Sequence, residues 1–187
     1  KPLFTEQGEA LFTHFGLSGP LVLSASTYID DLAGHEWVCE FDLKPALDEK
    51  TLYDRLTRDF AALGGHSAQG ALEKLLPHSM RPVAVEKWGV DPATRAAQIT
   101  REQKQALVRL CKHWPVPVSA LGDREHAVIT AGGVDVREVD PRTMESKLCP
   151  GLYFAGEVLD VDARTGGYNL QIAWSTAQAA ARAAAGM

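Results

Sequence analysis

Gly151 to Trp174 reads GLYFAGEVLDVDARTGGYNLQIAW, and this stretch decides the fold. Leu152-Tyr153-Phe154-Ala155 is a short apolar run suited to a buried parallel strand, which Gly156 ends. After a polar loop, Tyr168 to Ala185 carries Leu170, Ala173, Trp174, Ala177, Ala181 and Ala184 at helical spacing, and its small residues allow close approach to a sheet. A strand followed by a long helix at this spacing predicts an α/β fold.

The same stretch is shaped for a ligand. At Gly156 the missing side chain would let a ligand touch backbone, and Glu157 and Asp160 follow within a turn, where acidic groups commonly hold sugar hydroxyls. Thr165-Gly166-Gly167 then opens the helix, so unpaired backbone N–H groups and the positive end of the helix dipole face one crevice. Such a crevice favours developing negative charge, as on the N1/C2=O edge of a flavin ring on reduction.

Working outward, residues 9 to 15 read as a short strand ended by Gly16, and Ser18 as the cap of a helix running to about Tyr28 with Pro20 in its first turn. Trp37, Cys39, Phe41 and Leu43 alternate with polar or outward positions, the period of a strand with one buried face. Between 48 and 113 the period becomes helical. Leu52, Leu56, Phe60 and Leu63 form one stripe behind an Asp48 cap, shorter helices are expected over 71–76 and 80–88, and Thr100 and Gln103 have capping-box spacing. Strand character returns at Val116 to Ala120, at His126 to Ala131, and at Val134 to Val139 beyond Gly132-Gly133.

Composition limits the classes. The 187 residues are 45% hydrophobic and 23% charged, which fits a packed globular chain and excludes disorder or a disulfide-built miniprotein. A formal charge of −5 without a long basic run gives little support to a nucleic-acid partner. No apolar run approaches the roughly 18 residues needed to span a bilayer, so no membrane partner is expected. The three cysteines are widely spaced without a CxxC pair, which suggests neither a disulfide framework nor a metal site and fits a reducing cytoplasm. Cys111 and His113 are too isolated for a metal site, Trp88 and Trp114 read as subdomain core, and His14 lacks the third group of a nucleophilic triad. No residue is assigned as catalytic acid or base.

Four motifs carry a family likeness: GEALFTHFGLSGP at 8–20, TAGGV at 130–134, TMESK at 143–147, and the 151–174 stretch. Together they resemble the BaiN-type family of bacterial NAD(P)/FAD-dependent oxidoreductases, which includes aminoacetone oxidase and 3-dehydro-bile-acid reductase-like proteins. The resemblance implies FAD as cofactor, NAD(P)H as a candidate electron donor, and a small-molecule substrate. It implies that Gly156, Glu157 and Asp160 lie along the flavin's ribityl and pyrophosphate, that Gly166, Gly167, Tyr168, Asn169 and Leu170 lie against its ring, with Thr165 also a cofactor-binding residue at the helix start, and that Gly132 and Gly133 line the approach. Ala163-Arg164 departs from the family pattern, where Gly and then Pro or a small residue are expected.

On this basis residues 1–47 are the end of a β-rich inserted domain, 48–114 a helical subdomain, 115–150 its return strands, and 151–187 the C-terminal strand and helix of the FAD-binding domain. Such enzymes begin with a strand, a GxGxxG turn and a helix that grips the FAD pyrophosphate. No GxGxxG occurs here. The chain is therefore expected to be a C-terminal portion, a partial FAD-binding domain whose partner is the N-terminal FAD-binding segment of the same protein. Two other classes stay open: a different FAD protein, RNA-modifying or disulfide-reducing, that shares only the last strand and helix, and a non-catalytic binding or scaffold module. The purified chain alone should be colourless; stoichiometric yellow FAD would overturn the incomplete-site reading.

Overall fold

The computed structural model describes residues 2–29, 32 and 34–187. The chain divides into two compact units, one of Glu36–Val118 and one of Lys1–His35 with Ser119–Met187. Each mixes helices with a small antiparallel sheet, an α/β combination.

In the Glu36–Val118 unit, strand β3 (Trp37–Phe41) pairs antiparallel with β4 (Trp114–Val118), Cys39 opposite Val116. The predicted alternation of β3 holds, with Val38 and Glu40 exposed and the other face half-buried. Helix α2 (Glu49–Ala62) starts where Asp48 accepts from Thr51 N at 2.7 Å, and it buries Leu52, Leu56 and Phe60. Helix α5 (Arg101–Lys112) has the predicted capping box, Thr100 and Gln103 serving each other's backbone N–H. Helix α4 (Arg81–Trp88) follows a 3-10 turn at His78–Met80 and stops at Gly89, whose φ of 74° is the left-handed closure a glycine provides.

The helix expected over 71–76 instead forms earlier, as α3 (Ala68–Ala71), because Ser67 caps it through Gly70 N and turns succeed it. These elements enclose one core, in which Phe60 stacks on Trp88 with centroids 6.0 Å apart and the Trp88 indole donates to Gln103 O at 2.7 Å. Cys111 is fully buried there, and desolvation pushes its thiol up to about 11, which keeps it protonated and inert.

The other unit is organised differently. Residues 9–15 do not make one strand: Thr13 pairs with Gly16 O through both its backbone N and its hydroxyl, each at 2.8 Å, and turns the chain into a short hairpin of β1 (Leu11–Phe12) and β2 (Leu17–Ser18). Helix α1 (Pro20–Ser26) is then entered through Gly19 at φ 94°, so Ser18 lies in the strand and is not the cap.

The strands expected at 126–131, 134–139 and 152–155 do not form. Arg124–His126 is a 3-10 turn, as is Val136–Glu138, where Asp135 accepts from Arg137 N. What remains of the pairing is single bridges, Val134 with Leu159, Val139 with Ser146, and Glu145 with Tyr153. The apolar run 152–155 has the composition of an interior strand but, among the described residues, no sheet to enter. Helix α6 (Tyr168–Ala184) forms as predicted and contains no buried residue.

Lys112 fastens the end of α5 to the 42–47 loop. Its ammonium, on a side chain only 14% exposed, donates to Leu47 O at 2.7 Å and Lys44 O at 3.3 Å and pairs with Asp42 at 2.5 Å. Lys112→Met would strand a carboxylate and two carbonyls, so the urea midpoint of the helical unit should fall by an amount corresponding to about 2 kcal/mol. An unchanged midpoint would mean that water replaces all three contacts.

Candidate functional site

The 151–174 stretch is held together by backbone contact with the 130–134 segment. Val134 N donates to Val158 O at 2.8 Å and Asp160 N to Val134 O at 2.9 Å. That approach requires Gly133: a Cβ there would lie 2.5 Å from Val158 O and 2.9 Å from the Leu159 carbonyl carbon. Gly132, at φ 91°, instead faces open space.

Gly156, at φ 73°, begins a 3-10 turn (Gly156–Val158) that is tied to α6, because its N–H donates to Thr176 Oγ1 at 3.0 Å while that hydroxyl donates to Ile172 O at 2.7 Å. One face of α6 packs Ala179 and Ala180 against Val139, Met144 and Leu159. Glu157 and Asp160 are exposed carboxylates without an ion pair among the described residues.

The turn into α6 is pinned by Asn169, whose side-chain oxygen accepts from Ala163 N and whose amide donates to Ala163 O, both at 2.8 Å. Asn169 thus closes the loop with both polar atoms of its side chain. Gly166 and Gly167 take φ 132° and 87°, and Gly167 is an N-cap without a side chain to satisfy the helix start. The first turn carries no acidic residue. Tyr168 and Leu170, 63% and 59% exposed, flank this start, and the Tyr168 ring lies over Gly166. The result is an open, uncapped helix N-terminus whose N–H groups suit an anionic or carbonyl-rich ring edge.

Residues that the sequence reading gave no site role, Ser24, Tyr28, Glu6 and Arg164, complete the surroundings. Ser24, buried in α1, donates to Thr165 Oγ1 at 3.5 Å. Arg164 donates to Tyr28 OH at 2.8 Å and pairs with Glu6 at 3.4 Å, and the hydrogen bond to Tyr28 is the largest cause raising the guanidinium pKa. A cleft of about 120 Å³ lies here, between the 6–9 segment, the start of α1 and Thr165. The only signal in the sequence was the Ala163-Arg164 departure from the expected small pair.

Among the described residues no His, Cys, Asp or Glu cluster could hold a metal, and no described helix is long and apolar enough to cross a membrane. A glycine-bordered turn followed by a long helix is an arrangement met in nucleotide-binding α/β domains. Residues 18–183 match the HI0933-like protein Rossmann domain, and the chain belongs to that family, an FAD-binding Rossmann lineage with oxidoreductases among its members.

It is 38% identical over 172 residues to the ribosomal RNA dihydrouridine synthase of Escherichia coli K12 and 34% identical over 173 residues to that of Haemophilus influenzae, matches covering 92% of this chain and 41% of each relative. It is 31% identical over 185 residues to the 3-dehydro-bile acid delta(4,6)-reductase of Clostridium scindens, covering 98% of this chain and 45% of that relative. The chain therefore spans less than half the length of these relatives.

Gly133→Ala should open the contact between the 130–134 and 156–160 segments. Protection of the Val134 and Asp160 amides in hydrogen exchange should drop by about 2–3 kcal/mol, against about 1 kcal/mol for Gly132→Ala, which meets strain but no atom. Equal losses would remove the special role of Gly133.

Proposed function

We propose that this chain supplies the ring-binding part of a flavin-dependent reductase that adds hydrogen across a carbon–carbon double bond conjugated to a carbonyl. The observation that carries the reading is the uncapped start of α6 at Gly167, free of acidic residues and braced by Asn169, within a chain of the HI0933-like family. Its donor set fits the pyrimidine edge of an isoalloxazine, which presents carbonyl and imine acceptors.

FAD, when bound, supplies the hydride chemistry, with NAD(P)H as the proposed electron source. Gly166, Gly167, Tyr168, Asn169 and Leu170 would hold the ring, with Thr165 at their start. Gly156, Glu157 and Asp160 would hold the ribityl and pyrophosphate side, and Gly132 and Gly133 would border the approach. The chain's residues position the group and favour negative charge on it.

The acceptor class is supported by the relatives' names. A dihydrouridine synthase and a delta(4,6)-reductase share the saturation of such a double bond. The charge balance favours a small-molecule acceptor, whereas the 38% identity to the ribosomal RNA enzyme favours a second reading in which the acceptor is a uracil base in RNA.

The proposed partner is an N-terminal FAD-binding segment like the remainder of the relatives' length. Leu170, Trp174, Ala177 and Ala181 form an exposed stripe along α6, opposite the face that packs on Leu159, and a sheet laid on it would complete a Rossmann layer.

The test is to mix the chain with a separately produced N-terminal segment from the same reading frame or, failing one, from the E. coli relative. Flavin absorbance retained through desalting and NAD(P)H oxidation that needs both parts would support the enzyme. An enone acceptor and unmodified ribosomal RNA, supplied separately, then separate the two acceptor readings. Absence of any association would overturn the proposal in favour of a binding module.

A further inference from the structure

The two-stranded sheet of the Glu36–Val118 unit carries one step more, resting on the reading above that an N-terminal segment of the same reading frame completes this protein. The two outer edges of that sheet are unlike. Pro115 and Pro117 of β4 stand opposite Glu40 and Val38 and have no N–H to give, so the ladder bonds run through the pairs Trp37–Val118, Cys39–Val116 and Phe41–Trp114. Leu43 continues on that side of the strand, donating to Cys111 O at 2.8 Å. Alternation then turns the two prolines to the outer edge of β4, which is closed to a further strand.

The outer edge of β3 has no such protection. The same alternation places the backbone N–H and C=O of Val38 and Glu40 there, and neither residue's backbone meets a partner among the described residues on that side. From Trp37 to Phe41 the strand has no proline, glycine or lysine and keeps regular register, so its edge is a ready template for a third strand.

The side chains say what would pair. Glu36, Val38 and Glu40 share the exposed face, and Val38 is 56% exposed. Glu40 has the exposed His113 as its ion-pair partner at 3.0 Å, and Glu36 has none among the described residues. A second copy of the chain is a poor occupant. In the symmetric antiparallel register centred on Val38, Glu36 of each copy would meet Glu40 of the other, and the register one pair along would set Glu36 against Asp42. Like charges directly opposite one another destabilise a strand pair. The curated relatives continue for more than half their length beyond the part that this chain matches, so a strand has a source in the same reading frame.

We propose that the outer edge of β3 docks an extended strand of the N-terminal segment that carries Lys or Arg opposite Glu36 and Glu40 and an apolar residue opposite Val38. Main-chain bonds to Val38 and Glu40 supply the pairing, and the two carboxylates select the register and disfavour self-association.

The experiment mixes the full chain with the complementing N-terminal segment and no flavin, so that docking is read apart from the cofactor. In the complex the Val38 and Glu40 amides should exchange about a hundredfold more slowly than in the chain alone. Val38→Pro, which copies on β3 what Pro117 does on β4, should weaken association about tenfold, as for one lost donor. The double variant Glu36→Lys, Glu40→Lys, altered only at exposed side chains, should also weaken it about tenfold at low salt and less as salt rises.

Val38 and Glu40 amides that exchange equally fast in the complex and in the chain alone would overturn this proposal, while the flavin reading stood or fell on its own absorbance test. Protection that grows with concentration in the chain alone would show a second copy on the edge and would overturn it too. Absence of any association would defeat the functional reading and this proposal together.

Discussion

The candidate site depends on one backbone contact. Gly133 lets the chain at Val134 press against Val158–Asp160 so closely that a methyl group would collide with a carbonyl oxygen. Through that contact the 130–134 segment fixes Leu159, Leu159 joins Val139 and Met144 in a small core, and that core carries the inner face of α6. Gly156 and Thr176 add a second tie between the same turn and the same helix. The direction of the α6 N-terminus, which the chemistry needs, is thus set by main-chain geometry and by hydroxyl and amide side chains, with no charged side chain in its first turn.

The two units differ in how far they bury their own apolar surface. The Glu36–Val118 unit encloses eighteen buried core residues, and its exposed large hydrophobics are Val38 and Val83. The other unit buries Val139, Met144 and Leu159 while leaving Phe15, Leu148, Leu170 and Trp174, among others, mostly exposed. Burial contributes about 25 cal/mol per Å² of apolar surface, so a unit that withdraws so little from water has little to set against chain entropy. Part of its uncovered surface, Leu170 and Trp174, lies on the outer stripe of α6.

Local signals were readable wherever the physics was local. Asp48 and the Thr100–Gln103 box announced their helices because a cap is satisfied within four residues, and α6 was legible from spacing alone. The strands at 134–139 and 152–155 were not, because a strand exists only with a neighbour: Asp135 drew its segment into a 3-10 turn, and Tyr153 to Ala155 found one bridge in place of a sheet. The apolar run describes a place in a sheet and does not supply the sheet. Of the site residues, the glycines were legible as turn-makers, but that Gly133 answers to Val158, or that Asn169 spends its amide on Ala163, depends on tertiary contacts that spacing does not encode.

Arg164 marks the place where local and tertiary demands part. A small residue or proline at that position would leave the turn to be shaped by Asn169 and the two glycines alone. An arginine loses more side-chain entropy when ordered, so its retention in a defined direction has to be offset by contacts. Those contacts are present at 2.8 Å to Tyr28 and 3.4 Å to Glu6, and they belong to residues more than 130 positions away in the chain. The turn and the N-terminal segment are therefore joined through a charged group.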